Sequence, residues 1–208
     1  GFHAEITGFK SGFLGVDVFF VISGFVIFAS ILRQVDKDQT FSVSNFLSRR
    51  IRRLLPTATV GVALAILLAL ISQDPFKGMK ETITSGLASI VYGNNFLQIS
   101  RNPYFEASNS SLIHYWSLAV EEQFYLVWPW LIGLLPRRAG MTLSLALVVL
   151  APFLRLAVHV LQLPDLHAVM FPLCRMDTLC LGAWFALALR EPGLQARMES
   201  LTRRLGIG

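Results

Sequence analysis

MTLSLALVVLAPFLRLAVHVLQL, residues 141–163, is the stretch that decides the fold. Apart from Arg155 and His159 it carries no ionisable side chain, and it exceeds the roughly 20 apolar residues that cross a bilayer core. Working outward, similar blocks give spanning helices at Gly15–Leu32, Leu54–Ser72, Ile113–Leu135, Met141–Leu161 and Leu173–Leu189. Of the 208 residues, 54% are hydrophobic and only 15% charged, against roughly 25% charged in a soluble domain. Mean hydropathy is +0.57. These values exclude a soluble globular domain and predict an all-α, polytopic transmembrane helix bundle of about five spanning helices.

Thr82–Ile99 is too polar for lipid, with Thr, Ser and Gly residues and the pair Asn94-Asn95. Orientation depends on it. If it does not span, Arg33, Lys37, Arg49, Arg50, Arg52, Arg53, Arg137, Arg138, Arg190, Arg197, Arg203 and Arg204 share one side, against Lys10, Lys77, Lys80 and Arg101. That asymmetry marks a cytoplasmic side; a spanning segment would erase it. Thr82–Ile99 is therefore expected to be re-entrant or interfacial, with residues 1–14 and 73–112 facing outward and a basic loop 33–53 facing the cytoplasm. Gly1 and the basic tail lead to the expectation that 1–208 is one partial membrane domain, truncated at both ends.

The net charge of +5 lies in short basic stretches, which report membrane orientation rather than nucleic-acid binding. Cys174 and Cys180 sit on different faces of one helix, so neither a disulfide framework nor a cysteine metal site is expected, and no metal is implied. No Walker-type loop, HExxH or GxSxG motif is present, nor any repeat. His159 reads as a satisfied helix residue and His167 as a solvated loop residue.

Ionisable groups inside a bilayer cost about 2.5–3.5 kcal/mol each and mark functional sites by default. Here they are Asp17, Glu121, Glu122, Arg155, Arg175 and Asp177, all expected in the outer half of the membrane, with His3 beside them. A His among carboxylates and arginines suits proton transfer; structural pairing of the arginines with carboxylates is the plainer alternative. Glu121 and Glu122 point about 100° apart on a helix and are not expected to face one site. Ser117, Glu121, Tyr125 and Trp128 share a polar, aromatic face, so Glu121 is the candidate, while Glu122 lies with Leu118 and Pro129. Trp116 reads either as part of the site or as an interfacial belt anchor. Ser23 and Gly24 read as helix-packing residues, because a nucleophilic Ser23 needs a nearby base and a polar pocket. Arg50 and Arg53 share a face and suit a polyphosphate, beside their roles in topology and lipid binding.

Four motifs carry a resemblance: Gly12–Phe25, Phe46–Pro56 (FLSRRIRRLLP), His114–Pro129 (HYWSLAVEEQFYLVWP) and Arg175–Gly182 (RMDTLCLG). Together, and in order over nearly the whole chain, they resemble the membrane-bound acyltransferase 3 family of bacterial O-acyltransferases. The resemblance implies transfer of an acyl group, commonly acetyl from acetyl-CoA as donor substrate, to a hydroxyl of a surface glycan outside a bacterial plasma membrane, with no bound cofactor. It matches His3 to the histidine of the family's basic-residue and histidine hallmark, whose basic partner falls upstream of residue 1. It also implies further helices after Gly208 and, in some members, an extracellular SGNH-type domain.

The expected mechanism has His3 accept the proton of the acceptor hydroxyl, with Asp17 or Glu121 orienting the imidazole. Arg155 or Arg175, with Trp116, stabilises the oxyanion or holds the acceptor, and Arg50 and Arg53 take the phosphates of CoA. An acyl-histidine intermediate is a variant of this scheme. The expected partners are acyl-CoA, a glycan or lipid-linked sugar and membrane lipids, with no nucleic acid. A transporter or flippase, using the same charges as a substrate path, is the rival class, and a non-catalytic scaffold a third.

Overall fold

The computed structural model describes residues 11–38, 41–71, 75–101, 112 and 114–191, with scattered positions between 193 and 204. Among the described residues the chain is all helix: α1 (Ser11–Asp38), α2 (Val43–Ile71), α3 (Pro75–Ile90), α4 (Asn94–Arg101), α5 (Tyr115–Leu134), α6 (Arg137–Val160), α7 (Asp165–Met170) and α8 (Pro172–Ala188). Four segments, Leu14–Lys37, Val43–Ile71, Arg137–Val160 and His167–Ala188, are long and apolar enough to cross a membrane. The chain is an all-α, polytopic membrane bundle.

Helices α1 and α8 form its spine. Gly24 and Gly182 let them approach backbone to backbone: a Cβ on Gly24 would lie 2.3 Å from the Leu179 carbonyl oxygen, and one on Gly182 would lie 2.1 Å from that of Val21. Only glycine permits so close a crossing. The two helices run parallel, because Asp17 meets Arg175 near their starts and Asp36 meets Arg190 near their ends. α6 packs antiparallel on α8, and Arg137 at its start donates to the Arg190 carbonyl (3.1 Å).

Parallel α1 and α8 decide how residues 82–99 are used. With α2, α5 and α6 as the intervening spans, α8 points the same way as α1; a further span would have reversed it. The segment instead folds as a helical hairpin, α3 then α4, turning at Tyr92 in the left-handed region (φ 54°). Its polar face is buried in protein, which is where irregular backbone is tolerated at membrane depth. Asn94 donates to the Leu112 carbonyl (2.8 Å), Asn95 to that of Met170 (3.3 Å), and Gln123 of α5 to those of Tyr92 (2.6 Å) and the Asn95 side chain (2.9 Å).

Two expectations need correction. The basic loop 33–53 is helical over most of its length: α1 continues to Asp38 and α2 starts at Val43, after Ser42, whose hydroxyl accepts from the Asn45 amide (3.3 Å) in the manner of a cap. The arginines 49, 50, 52 and 53 thus project from a helix at fixed angles. His167 lies in the short helix α7 rather than a loop, its ring nitrogen 3.1 Å from the Pro164 carbonyl. Helix α5 carries Glu121-Glu122-Gln123 and is not among the four apolar spans; its 20 residues are long enough, and its polarity is accommodated by burial of Trp116, Ala119, Val120, Glu121, Glu122, Phe124, Tyr125 and Trp128.

Candidate functional site

The intramembrane charges form two layers. The first binds the starts of α1 and α8. Arg175, 9% exposed at its side chain, pairs with Asp17 (2.7 Å) and donates through Nε to the Val169 carbonyl (3.0 Å). Its guanidinium carbon lies 5.9 Å from the centre of the Trp116 ring, within cation–π range. Arg155 of α6 pairs with Asp177 (2.6 Å) and donates to the Cys174 carbonyl (2.6 Å). Each arginine thus ties α8 to a neighbouring helix and neutralises one carboxylate, the structural pairing that the sequence left as an alternative.

The second layer lies deeper, because Ser23 follows Asp17 by about 9 Å along the axis of α1. Here the Ser23 hydroxyl donates to the Glu121 carboxylate in a short contact. The Tyr125 hydroxyl lies 2.6 Å from Ser23 Oγ and 2.9 Å from Glu121 Oε1. Having one proton, it donates to one of them at a time. Arg50 reaches in from α2, its guanidinium carbon 4.0 Å from the centre of the Tyr125 ring, pairing with Glu122 (2.5 Å) and standing 3.9 Å from Glu121. Glu121 is 3% exposed and Tyr125 1%.

This layer floors a groove of about 510 Å³ between α1 and α2. Apolar walls come from Phe19, Ile22, Val26 and Leu118, the floor from Ser23 and Glu121, and a basic rim from Arg49, Arg50 and Arg53. Arg49 also donates to Gln34 (3.0 Å). A hydroxyl hydrogen-bonded to a buried carboxylate suits activation of that hydroxyl by an adjacent base, and arginines at the rim suit a phosphate or carboxylate.

His3 lies outside the described residues, so the grouping of His3 with Asp17 and Glu121 is reduced to its last two members, and these are apart. Asp17 is taken by Arg175 in the first layer and Glu121 by Ser23 and Tyr125 in the second. Arg50 is not an open phosphate clamp, since Glu122 holds its guanidinium at two positions; Arg53 stays on the rim. Glu122, expected away from the site, joins Glu121 because one long guanidinium spans the 100° between them. Trp116 is 2% exposed and meets Phe20 edge-on (6.5 Å, 87°), so it is core rather than a lipid-facing belt residue. Ser23, read as packing, acquires the base and the pocket whose lack argued against any other role. The spacing Ser117, Glu121, Tyr125, Trp128 was the available signal, for that face is turned toward α1, with Trp128 on Phe28 (6.1 Å).

A family model described as an acyltransferase domain (acyltransferase 3) matches residues 2–197. The peptidoglycan O-acetyltransferase OatA of Listeria monocytogenes is 37% identical over 131 residues, which cover 62% of this chain and 21% of that protein. The O-acetyltransferase OatA of Staphylococcus aureus is 31% identical over 202 residues, covering 91% of this chain and 33% of that protein. The chain thus spans about a third or less of the length of these relatives. No solved structure matches it.

Proposed function

The chain belongs to the acyltransferase domain family, and on that premise we propose that it is the membrane part of an O-acyltransferase which moves an acyl group, acetyl in the first instance, from an acyl-CoA to a hydroxyl of a cell-envelope glycan. The O-acetyltransferase relatives support a glycan acceptor, peptidoglycan above all, and a bacterial plasma-membrane location. A single observation carries the reading: the groove joins arginines at its rim to a hydroxyl and a carboxylate at its floor. The rim lies at the end of the bundle where Arg33, Lys37, Arg137 and Arg190 also gather, the cytoplasmic end by charge, where CoA is available.

In this reading Arg53 and Arg49 take the donor's phosphates, and the apolar walls receive its pantetheine arm and thioester. Arg50, locked between Glu122 and the Tyr125 ring, positions Glu121 and supplies compensating positive charge. His3 acts on the outer side as the base that accepts the acceptor's proton, a contribution of about 10²–10⁴-fold. The test uses the full-length parent in membranes, given labelled acetyl-CoA and purified peptidoglycan. Label should reach the glycan with wild type and be lost in His3→Ala at matched membrane abundance. No transfer from any acyl-CoA by wild type removes the donor assignment, and a fully active His3→Ala removes the base.

A further inference from the structure

A donor entering past the basic rim runs along the apolar walls to the floor of the groove, where Ser23 presents a hydroxyl backed by the Glu121 carboxylate. We infer that Ser23 is a nucleophile that carries the acyl group between donor and acceptor, as an oxyester intermediate, with Glu121 as its base. The inference rests on the acyl-CoA reading above.

Ser23 lines the groove, so a thioester lying along the apolar walls meets its hydroxyl. Its proton already points at the Glu121 carboxylate, and Tyr125, fully buried, stands 2.6 Å from its oxygen. A serine hydroxyl is a poor nucleophile alone and is activated by an adjacent base held by a third group, and here Tyr125 and Arg50 do the holding. Tyr125 and Arg50 are positioning residues.

The steps balance. In the first, Ser23 Oγ attacks the thioester carbonyl while its proton passes to the Glu121 carboxylate. The carbon–sulfur bond breaks, and CoA leaves as a thiolate that takes its proton from cytoplasmic water. In the second, the acceptor hydroxyl attacks the seryl ester as His3 removes its proton. The bond to Ser23 breaks, the serine oxygen recovers a proton from Glu121, restoring carboxylate and hydroxyl, and His3 releases its proton to water on the outer side, which offsets the hydroxide left in the cytoplasm.

The experiment incubates full-length protein in membranes with labelled acetyl-CoA, without glycan, and quenches in denaturant. Wild type should retain label at Ser23 in a bond cleaved by alkali yet stable to neutral hydroxylamine, as an oxyester is. S23A should carry none and lose glycan transfer by a factor on the order of 10⁶, the cost of deleting a catalytic serine elsewhere. S23C should carry label released by neutral hydroxylamine, as a thioester is, a change of bond chemistry that a folding defect does not produce. Transfer to glycan by S23A at the wild-type rate overturns the inference while leaving the acyl-CoA reading intact. So does an inactive S23A beside a wild type that transfers label to glycan but never retains it, which makes Ser23 a positioning residue. Wild type that transfers nothing from acyl-CoA overturns the reading and the inference together.

Discussion

Replacing Gly182 by Ala tests the spine of the bundle. The added Cβ would sit 2.1 Å from the Val21 carbonyl oxygen and 2.6 Å from the Phe25 amide nitrogen. Ordinary contact begins at 3.4 Å, so α1 and α8 must separate by about 1.3 Å (3.4 less 2.1), and both obstacles are backbone that no rotamer change can move. Overpacking of this kind costs about 1–3 kcal/mol, and separation also pulls Asp17 from Arg175. Two other glycines calibrate the result. A Cβ on Gly140 would rest 3.6 Å from Leu187 Cδ1, and one on Gly15 would meet nothing within 4 Å. Heating detergent extracts of the full-length protein, fused to a fluorescent reporter and resolved by size exclusion, should show G182A melting lower by roughly 5 °C with G140A and G15A near wild type. Three indistinguishable melting curves would refute the backbone-to-backbone crossing.

E122Q should cost about 3–5 kcal/mol by leaving the Arg50 guanidinium without its main partner in a buried site, read as loss of membrane abundance; a double variant E122L/R50M should recover most of it. R53A should raise the KM for acyl-CoA severalfold with kcat nearly unchanged, since a rim arginine contributes equally to ground and transition states; steady-state transfer assays separate the two constants. N95L should loosen the α3–α4 hairpin by removing the side chain that donates to Met170 and accepts from Gln123, a loss of about 1–3 kcal/mol visible as new protease cleavage between α3 and α5.

The apolar blocks in the sequence located each span, since length and hydrophobicity need no partner to be read, but not the basic ends: α1 runs on to Asp38 and α2 starts at Val43, eleven residues before the expected Leu54. The polarity of residues 82–99 likewise announced a segment unfit for lipid, and the hairpin with its buried Asn94, Asn95 and Gln98 is the form it takes. The site was harder. Periodicity identified the face of α5 bearing Glu121 and Tyr125, but a helical wheel describes one helix, and what decides roles here is which neighbour reaches in. Arg50 arrives from α2 and bridges two carboxylates that no single-helix argument would join. Depth misled in the same way: Asp17 and Glu121 are both near the outward ends of their helices in sequence, yet Glu121 meets α1 at Ser23, about 9 Å further along its axis than Asp17. Ser23 illustrates the limit, since its chemistry rests on contacts 98 and 102 residues away.

The Asp17–Arg175 pair joins residues 158 positions apart. Polypeptide leaves the ribosome at about 5–20 residues per second, so Asp17 precedes its partner by about 8–30 s. During that interval α1 holds an unpaired carboxylate and a bare glycine crossing surface, and it is poorly suited to release into lipid. The contacts that seat α1 are therefore completed only when α8 emerges, so assembly of the described bundle closes on its last described span rather than growing outward from its first.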